Sequence, residues 1–195
     1  MSNIEIKNLS KSFGEKKVLD RFSASLPSGG ITVIMGESGC GKTTLINILM
    51  GFEKADEGTV EGLPSSVSAV FQDDCLCEDF TSISNLRAVV GRKRPRNELE
   101  DLLVSMGLTR EDISRPVRQL SGGMKRRVAI ARALAADGEL LIMDEPFKGL
   151  DEEMRKKVIA AVLNDTRSKN RTLIVITHDP DEIGLLCADH TIIMK

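Results

Sequence analysis

The run Gly36-Glu37-Ser38-Gly39-Cys40-Gly41-Lys42-Thr43 stands between an apolar stretch and a helical one. It fits the pattern G-x-x-x-x-G-K-[ST] in the context that gives the pattern meaning. The glycines let successive N–H groups point inward while a helix N-terminus adds partial positive charge, and phosphate oxygens suit the resulting nest. The loop from Gly36 to Thr44, with Glu37, Ser38 and Cys40 inside it, is therefore a candidate nucleotide-phosphate site. Lys42 would reach the β- and γ-phosphates, and the Thr43 hydroxyl is a hard oxygen suited to Mg²⁺. Two acids, Asp144 and Glu145, end the apolar run Leu140 to Met143. Adjacent residues on an extended chain point in different directions, so Asp144 can serve Mg²⁺ while Glu145 polarises a water attacking the γ-phosphate. A second anion site is expected at Leu120-Ser121-Gly122-Gly123-Met124, where Ser121 and two glycines open a helix. If one nucleotide needs both helix N-termini, a second copy packed head to tail is the simplest supply.

These residues need elements to hold them. Ile4, Ile6 and Leu9 alternate with polar residues, Phe22 to Leu26 repeats the alternation, and Ile31 to Met35 is a buried-type strand. A helix follows over Lys42 to Met50 with Gly51 as its stop. After a strand at Val67 to Phe71 come helical spacings over 83–90 and 98–106, with Gly107 as a cap. A helix over 122–136, the strand Leu140 to Met143, a helix over 152–167 and a strand at Thr172 to Thr177 come next. A helix near 181–187 and a strand at 191–194 complete the pattern. Strands alternating with helices predict a largely parallel sheet covered on both faces. His178 follows a strand, where a phosphate lies at a sheet's carboxyl edge. The basic cluster Arg92, Lys93, Arg94 and Arg96 reads as a solvated loop between two helices.

Composition narrows the classes. The chain has 195 residues, 41% of them hydrophobic, enough for a single domain with a real core. The 27 basic residues nearly balance the 29 acidic ones, which argues against a nucleic-acid grip made of general positive charge. The apolar runs are strand-sized, far short of the ~20 residues that a membrane helix needs. Met1 to Lys7 lacks the apolar core of a signal peptide, so a cytosolic address is expected. Cys40, Cys75, Cys77 and Cys187 have neither Cys-x-x-Cys spacing nor neighbouring histidines, so no structural zinc site is expected.

With these motifs in order along the chain, the sequence resembles the nucleotide-binding subunit of an ATP-binding cassette (ABC) transporter over essentially its whole length. The resemblance rests on the P-loop at 36–43, Gln72, Leu120 to Met124, Asp144 with Glu145, and His178. It implies an α/β P-loop NTPase, RecA-like core: a mainly parallel sheet, N-terminal antiparallel strands and a small inserted helical lobe. The core would occupy about 1–75 and 137–195, and the lobe about 76–136. The resemblance also implies that two subunits sandwich ATP between one P-loop and the other's Ser121, Gly122 and Gly123. Gln72 would touch Mg²⁺ and sense a membrane permease, His178 would contact the γ-phosphate, and Asp151 would help join the two sites. Phe13 holds the place of an aromatic residue stacked on adenine.

The implied partners are a second ATP-binding subunit, as a homodimer or a pseudodimer, the transmembrane permease and, through it, a solute-binding protein; nucleic acid is not among them. The implied location is the cytoplasmic face of a membrane, where the chain would sit peripherally. The wording of 120–134, 144–147 and 177–182 is similar to the nitrate, sulfonate and taurine importer branch. Asp73, Asp74, Glu78 and Asp79 depart from it, and four acids there would favour a basic docking helix on the permease. The rival is a soluble ABC-family ATPase not linked to transport. Such proteins usually carry two cassettes or a long inserted arm, for which 195 residues leave no room.

Overall fold

A computed structural model describes residues 2–194. Strands β1 (Ile4–Phe13) and β2 (Lys16–Leu26) form an antiparallel hairpin, and β4 (Glu57–Glu61) pairs with the other edge of β1. The second sheet has five strands in the order β5 (Val67–Val70), β6 (Leu140–Asp144), β7 (Thr172–Ile176), β3 (Ile31–Gly36) and β8 (His190–Met194), and all its pairings are parallel. Helix α1 (Lys42–Leu49) follows β3. Helices α2 (Ser82–Val90), α3 (Arg96–Ser105), α4 (Arg110–Ser114) and α5 (Gly122–Ala136) lie between β5 and β6 in the chain. Helix α6 (Glu152–Ser168) separates β6 from β7, and α7 (Asp181–Leu186) separates β7 from β8.

The central strands β6 and β7 are buried throughout, and β3 is buried from Ile31 to Ile34, because successive side chains enter different cores. Val33, Leu141, Met143, Leu173 and Val175 face one cluster with residues of α2 to α6, including Leu86, Leu99, Val128 and Val158. Ile34, Leu140, Ile142, Ile174 and Ile176 face the other, with Leu45 and Ile46 of α1 and Ile4, Ile6 and Leu26 of the hairpin. The sheet is thus covered on both sides. Its carboxyl edge is left as the place where β3, β6 and β7 deliver their following residues.

The expected elements are present with shifts at their ends. Helix α1 stops one residue sooner than expected, at Leu49, with Gly51 in a left-handed conformation. Helix α3 begins at Arg96, so that residue sits on a helix paired with Glu100 and not in the predicted loop. Nor is Arg94 simply solvated, since it pairs with Asp137. Strand β4 was not anticipated, because Val60 is its one residue with partial cover. The hairpin reaches well beyond Leu9 and starts again at Lys16, a stretch whose side chains are largely exposed and carry little periodicity.

Candidate active site

The loop Gly36 to Gly41 leaves β3 and turns directly into α1. Two of its glycines are required by close approach. A Cβ on Gly36 would come within 2.6 Å of both Cys40 Sγ and the Met194 carbonyl oxygen. At Gly41, which has φ +101°, it would lie 2.8 Å from the Val18 carbonyl oxygen. The loop is therefore held against β8 at Gly36 and against β2 at Gly41, with no room for a side chain at either glycine. Lys42 Nζ donates to the carbonyls of Gly36 and Glu37, both at 2.7 Å, which folds the ammonium back over the loop's mouth.

A cleft of about 690 Å³ opens there. It collects Gly36, Glu37, Ser38, Gly39 and Gly41 of the loop, with Lys42, Thr43 and Thr44 of the helix start. Gln72 comes from the end of β5, Asp144 and Glu145 from β6, and His178 from β7. Phe13 borders the cleft, half exposed, with Lys11 Nζ 5.2 Å from its ring centroid. Cys40 is half-buried and lines the opposite side of the loop.

The structure thus brings together most of the residues singled out in the sequence. Lys16, Val18 and Lys148 also line the cleft and were not anticipated. Lys16 is brought there by hairpin register, which sets it opposite Phe13. Lys148 is placed by the turn after β6, its ammonium 3.3 Å from Glu145 Oε2.

The two acids differ in environment. Asp144 is buried, and burial pushes its carboxyl above the usual range, with Glu145 adding repulsion while Lys42, Arg126 and Thr43 oppose the rise. Burial also acts upward on Glu145, but hydrogen bonds with His178 and Lys148 outweigh it and hold its carboxyl below the usual range. The Nδ1 of His178 lies 3.0 Å from Glu145 Oε1. Glu145 itself has φ +45°, a left-handed conformation costly for a residue with a Cβ, and its N–H donates to the Ile176 carbonyl at 2.9 Å. The acids therefore occupy different environments: one is shielded by burial and the other is held against a histidine and a lysine.

Ser121, Gly122, Gly123 and Asp151 do not line this cleft. Ser121 caps α5, its hydroxyl accepting from the Met124 N–H at 3.3 Å, with Gly122 exposed beside it. Asp151 caps α6 in the same way, accepting from the Met154 N–H at 2.9 Å. The expected acidic patch after Gln72 is largely neutralised within the chain. Asp74 pairs with Arg126, Glu78 with Lys125 and Asp79 with Arg118, leaving Asp73 as the acid there with no ion pair among the described residues.

No cluster of three His, Cys, Asp or Glu side chains able to hold a metal exists among the described residues. Thr43, Gln72 and Asp144 nevertheless offer a hydroxyl, an amide oxygen and a carboxylate to one cleft. That sparse set of hard oxygens suits Mg²⁺ carried by phosphates better than a protein cage. Among the described residues no helix is long and apolar enough to cross a membrane.

Residues 19–148 match the ABC transporter family. The chain is 35% identical over 193 residues to the aliphatic sulfonates import ATP-binding protein SsuB 1 of Paracoccus denitrificans, covering 98% of this chain and 79% of that protein. It is 36% identical to the Fe(3+) ions import ATP-binding protein FbpC 2 of Haemophilus influenzae, covering 98% of this chain and 59% of the relative. Among solved structures, the dimeric bacterial ABC transporter cassette MJ0796 superposes with a TM-score of 0.86 at 27% identity, over 98% of this chain and 94% of that one. A post-hydrolysis dimer of the same cassette bound to ADP and Pi superposes with a TM-score of 0.84 at 27% identity, again covering 98% and 94%. The fold is that of a P-loop NTPase.

Proposed function

Because the chain belongs to the ABC transporter family, we propose that it is the ATP-binding subunit of an importer, hydrolysing ATP in a head-to-tail pair to power a separate membrane permease. The observation that carries this reading is the single cleft in which the phosphate loop, Gln72, the two acids and His178 converge. The relatives named as import ATP-binding proteins support the direction of transport. They serve sulfonates in one case and Fe(3+) in another at nearly equal identity, so the cargo belongs to the permease and its binding partner.

ATP is the substrate. The loop N–H groups and Lys42 bind its phosphates, and Phe13 takes the adenine face, half exposed as a stacking residue must be. Mg²⁺ supplies charge neutralisation on the phosphates, and Thr43, Gln72 and Asp144 would hold it. Glu145 accepts the proton of the water that attacks the γ-phosphorus, and its low carboxyl range keeps it ready as a base. His178 holds that carboxylate by its Nδ1, and in its protonated form the other ring N–H can donate to a γ-phosphate oxygen. The capped N-terminus of α5 would close over the partner's nucleotide, with Ser121, Gly122 and Gly123 as donors and Asp151 linking the two sites. Residues 1–75 and 137–195 are read as the core, and the segment 76–136 as the lobe that swings and pulls on the permease. The subunit would sit peripherally on the cytoplasmic face.

Glu145→Gln tests the centre of this reading. That variant should bind ATP, release phosphate at a small fraction of the normal rate, and elute as an ATP-dependent dimer. Steady-state turnover at the normal rate would remove Glu145 from its role. Affinity capture of the tagged chain from solubilised membranes should bring a multi-span permease with it, and recovery of soluble partners alone would overturn the transport reading.

A further inference from the structure

Arg126 is buried on α5, and its guanidinium lies between the chain that follows β5 and the chain that follows β6. Nη1 donates to the Phe71 carbonyl at 2.6 Å and to Asp74 Oδ1 at 2.9 Å, and Nη2 donates to the Glu145 carbonyl at 2.9 Å. The Asp144 carbonyl oxygen lies 3.4 Å from the same Nη2. The Phe71 carbonyl belongs to the peptide that leads into Gln72. One rigid planar group therefore grips the chain just before Gln72 and the backbone of Glu145 together.

Glu145 needs such a grip. A left-handed residue with a Cβ costs roughly 1–2 kcal/mol and persists where its surroundings fix it from several sides. Its N–H is tied to β7 through Ile176, its carboxylate to His178, and its carbonyl to Arg126. Of these ties, Arg126 is the one that joins Glu145 to α5, whose N-terminus is Ser121-Gly122-Gly123, and to the segment around Gln72.

We infer that Arg126 is a positioning residue: it sets the backbone, and so the carboxylate direction, of Glu145, and couples that direction to the Gln72 segment, with Asp74 holding the guanidinium in place. This rests on the reading of Glu145 as the base. Arginine suits the task because its fork of donors is planar and permanently charged, whereas lysine offers a point charge that cannot span two carbonyls and a carboxylate at once. A shift of the chain entering Gln72 then reaches the base directly.

The test compares Arg126→Lys, Asp74→Asn, Glu145→Gln and the double variant Arg126→Lys/Glu145→Gln in the full chain. Phosphate release, KM for ATP and affinity for a fluorescent ATP analogue are measured for each. Arg126→Lys should lower kcat on the order of 10- to 100-fold, the scale of a misplaced catalytic group, with KM and analogue affinity unchanged. Asp74→Asn should do the same more mildly, and it decides the matter if Arg126→Lys does not fold. In the Glu145→Gln background Arg126→Lys should add no further loss, because both act through one carboxylate. Unchanged kcat in folded variants, a parallel loss of ATP affinity, or full additivity would overturn the inference while leaving the role of Glu145 intact. Normal turnover by Glu145→Gln would overturn both.

Discussion

Asp144 and Glu145 are neighbours in the chain, yet their carboxyls are driven in opposite directions, one by burial and the other by its partners. For Asp144 the folded carboxyl lies above its unfolded value, so the folded chain binds the proton more tightly. Stability then falls as pH rises through the interval between the two values, and the penalty persists at neutral pH. Asp144→Asn should therefore raise the melting temperature measured without nucleotide, by about 2–4 °C per kcal/mol relieved, while abolishing hydrolysis. A lowered melting temperature would show that Asp144 is stabilising as an anion. Glu145 runs the other way: its contribution is present above the unfolded carboxyl value and is lost as pH falls through the lower folded one. In His178→Ala only Lys148 still opposes burial, so that acid-side loss should shrink, which a pH series of melting curves reads directly. The loop residues and both acids were legible because each motif is contiguous. Lys16, Lys148 and Arg126 were not, since a strand register, a turn and a helix face bring them in from places where a lone basic residue carries no signal.

Helix α5 shows how an element can hide its role. Its spacing reads as an amphipathic helix, but its buried face carries Arg126 and Arg127 among the alanines. Arg127 donates to the Met106 and Gly107 carbonyls at 3.0 and 2.7 Å and to the Gly123 carbonyl at 3.2 Å, so it fastens the end of α3 to the first turn of α5. Arg127→Ala would leave the Met106 and Gly107 carbonyls without this donor, and a loss of about 2–4 kcal/mol in chemical unfolding is expected from orphaned buried groups of this kind. Leu103, fully buried on α3, should cost about 2–5 kcal/mol as Leu103→Ala. Helix α4 was missed because it has only five residues, although its Thr109–Asp112 capping box is written in the sequence as T-x-x-D. The central strands β6 and β7 were the most legible elements, because being covered on both faces makes them nearly continuous apolar runs.

At the scale of the whole molecule, the alternation of strands and helices told the class of fold but not the order of the strands. That order depends on which helix covers which face, and no local pattern records it. The internal pairing of the acids after Gln72 also belongs to this scale, since their partners Arg118, Lys125 and Arg126 lie some forty to fifty residues further along the chain. The strand order bears on synthesis. Strand β3, which carries the phosphate loop, has as its sheet neighbours β7 and β8, residues 172–176 and 190–194. A nascent chain has made the loop early, but residues up to 194 must also emerge before that loop has a sheet to stand on, and long-range parallel pairing of this kind is slow. Chains stalled before residue 172 should therefore fail to retain an ATP analogue, while those extended past 194 and clear of the exit tunnel should hold it. The capacity to bind nucleotide would thus arrive only once the two sheet neighbours of β3 have been made, about 150 residues after the loop itself.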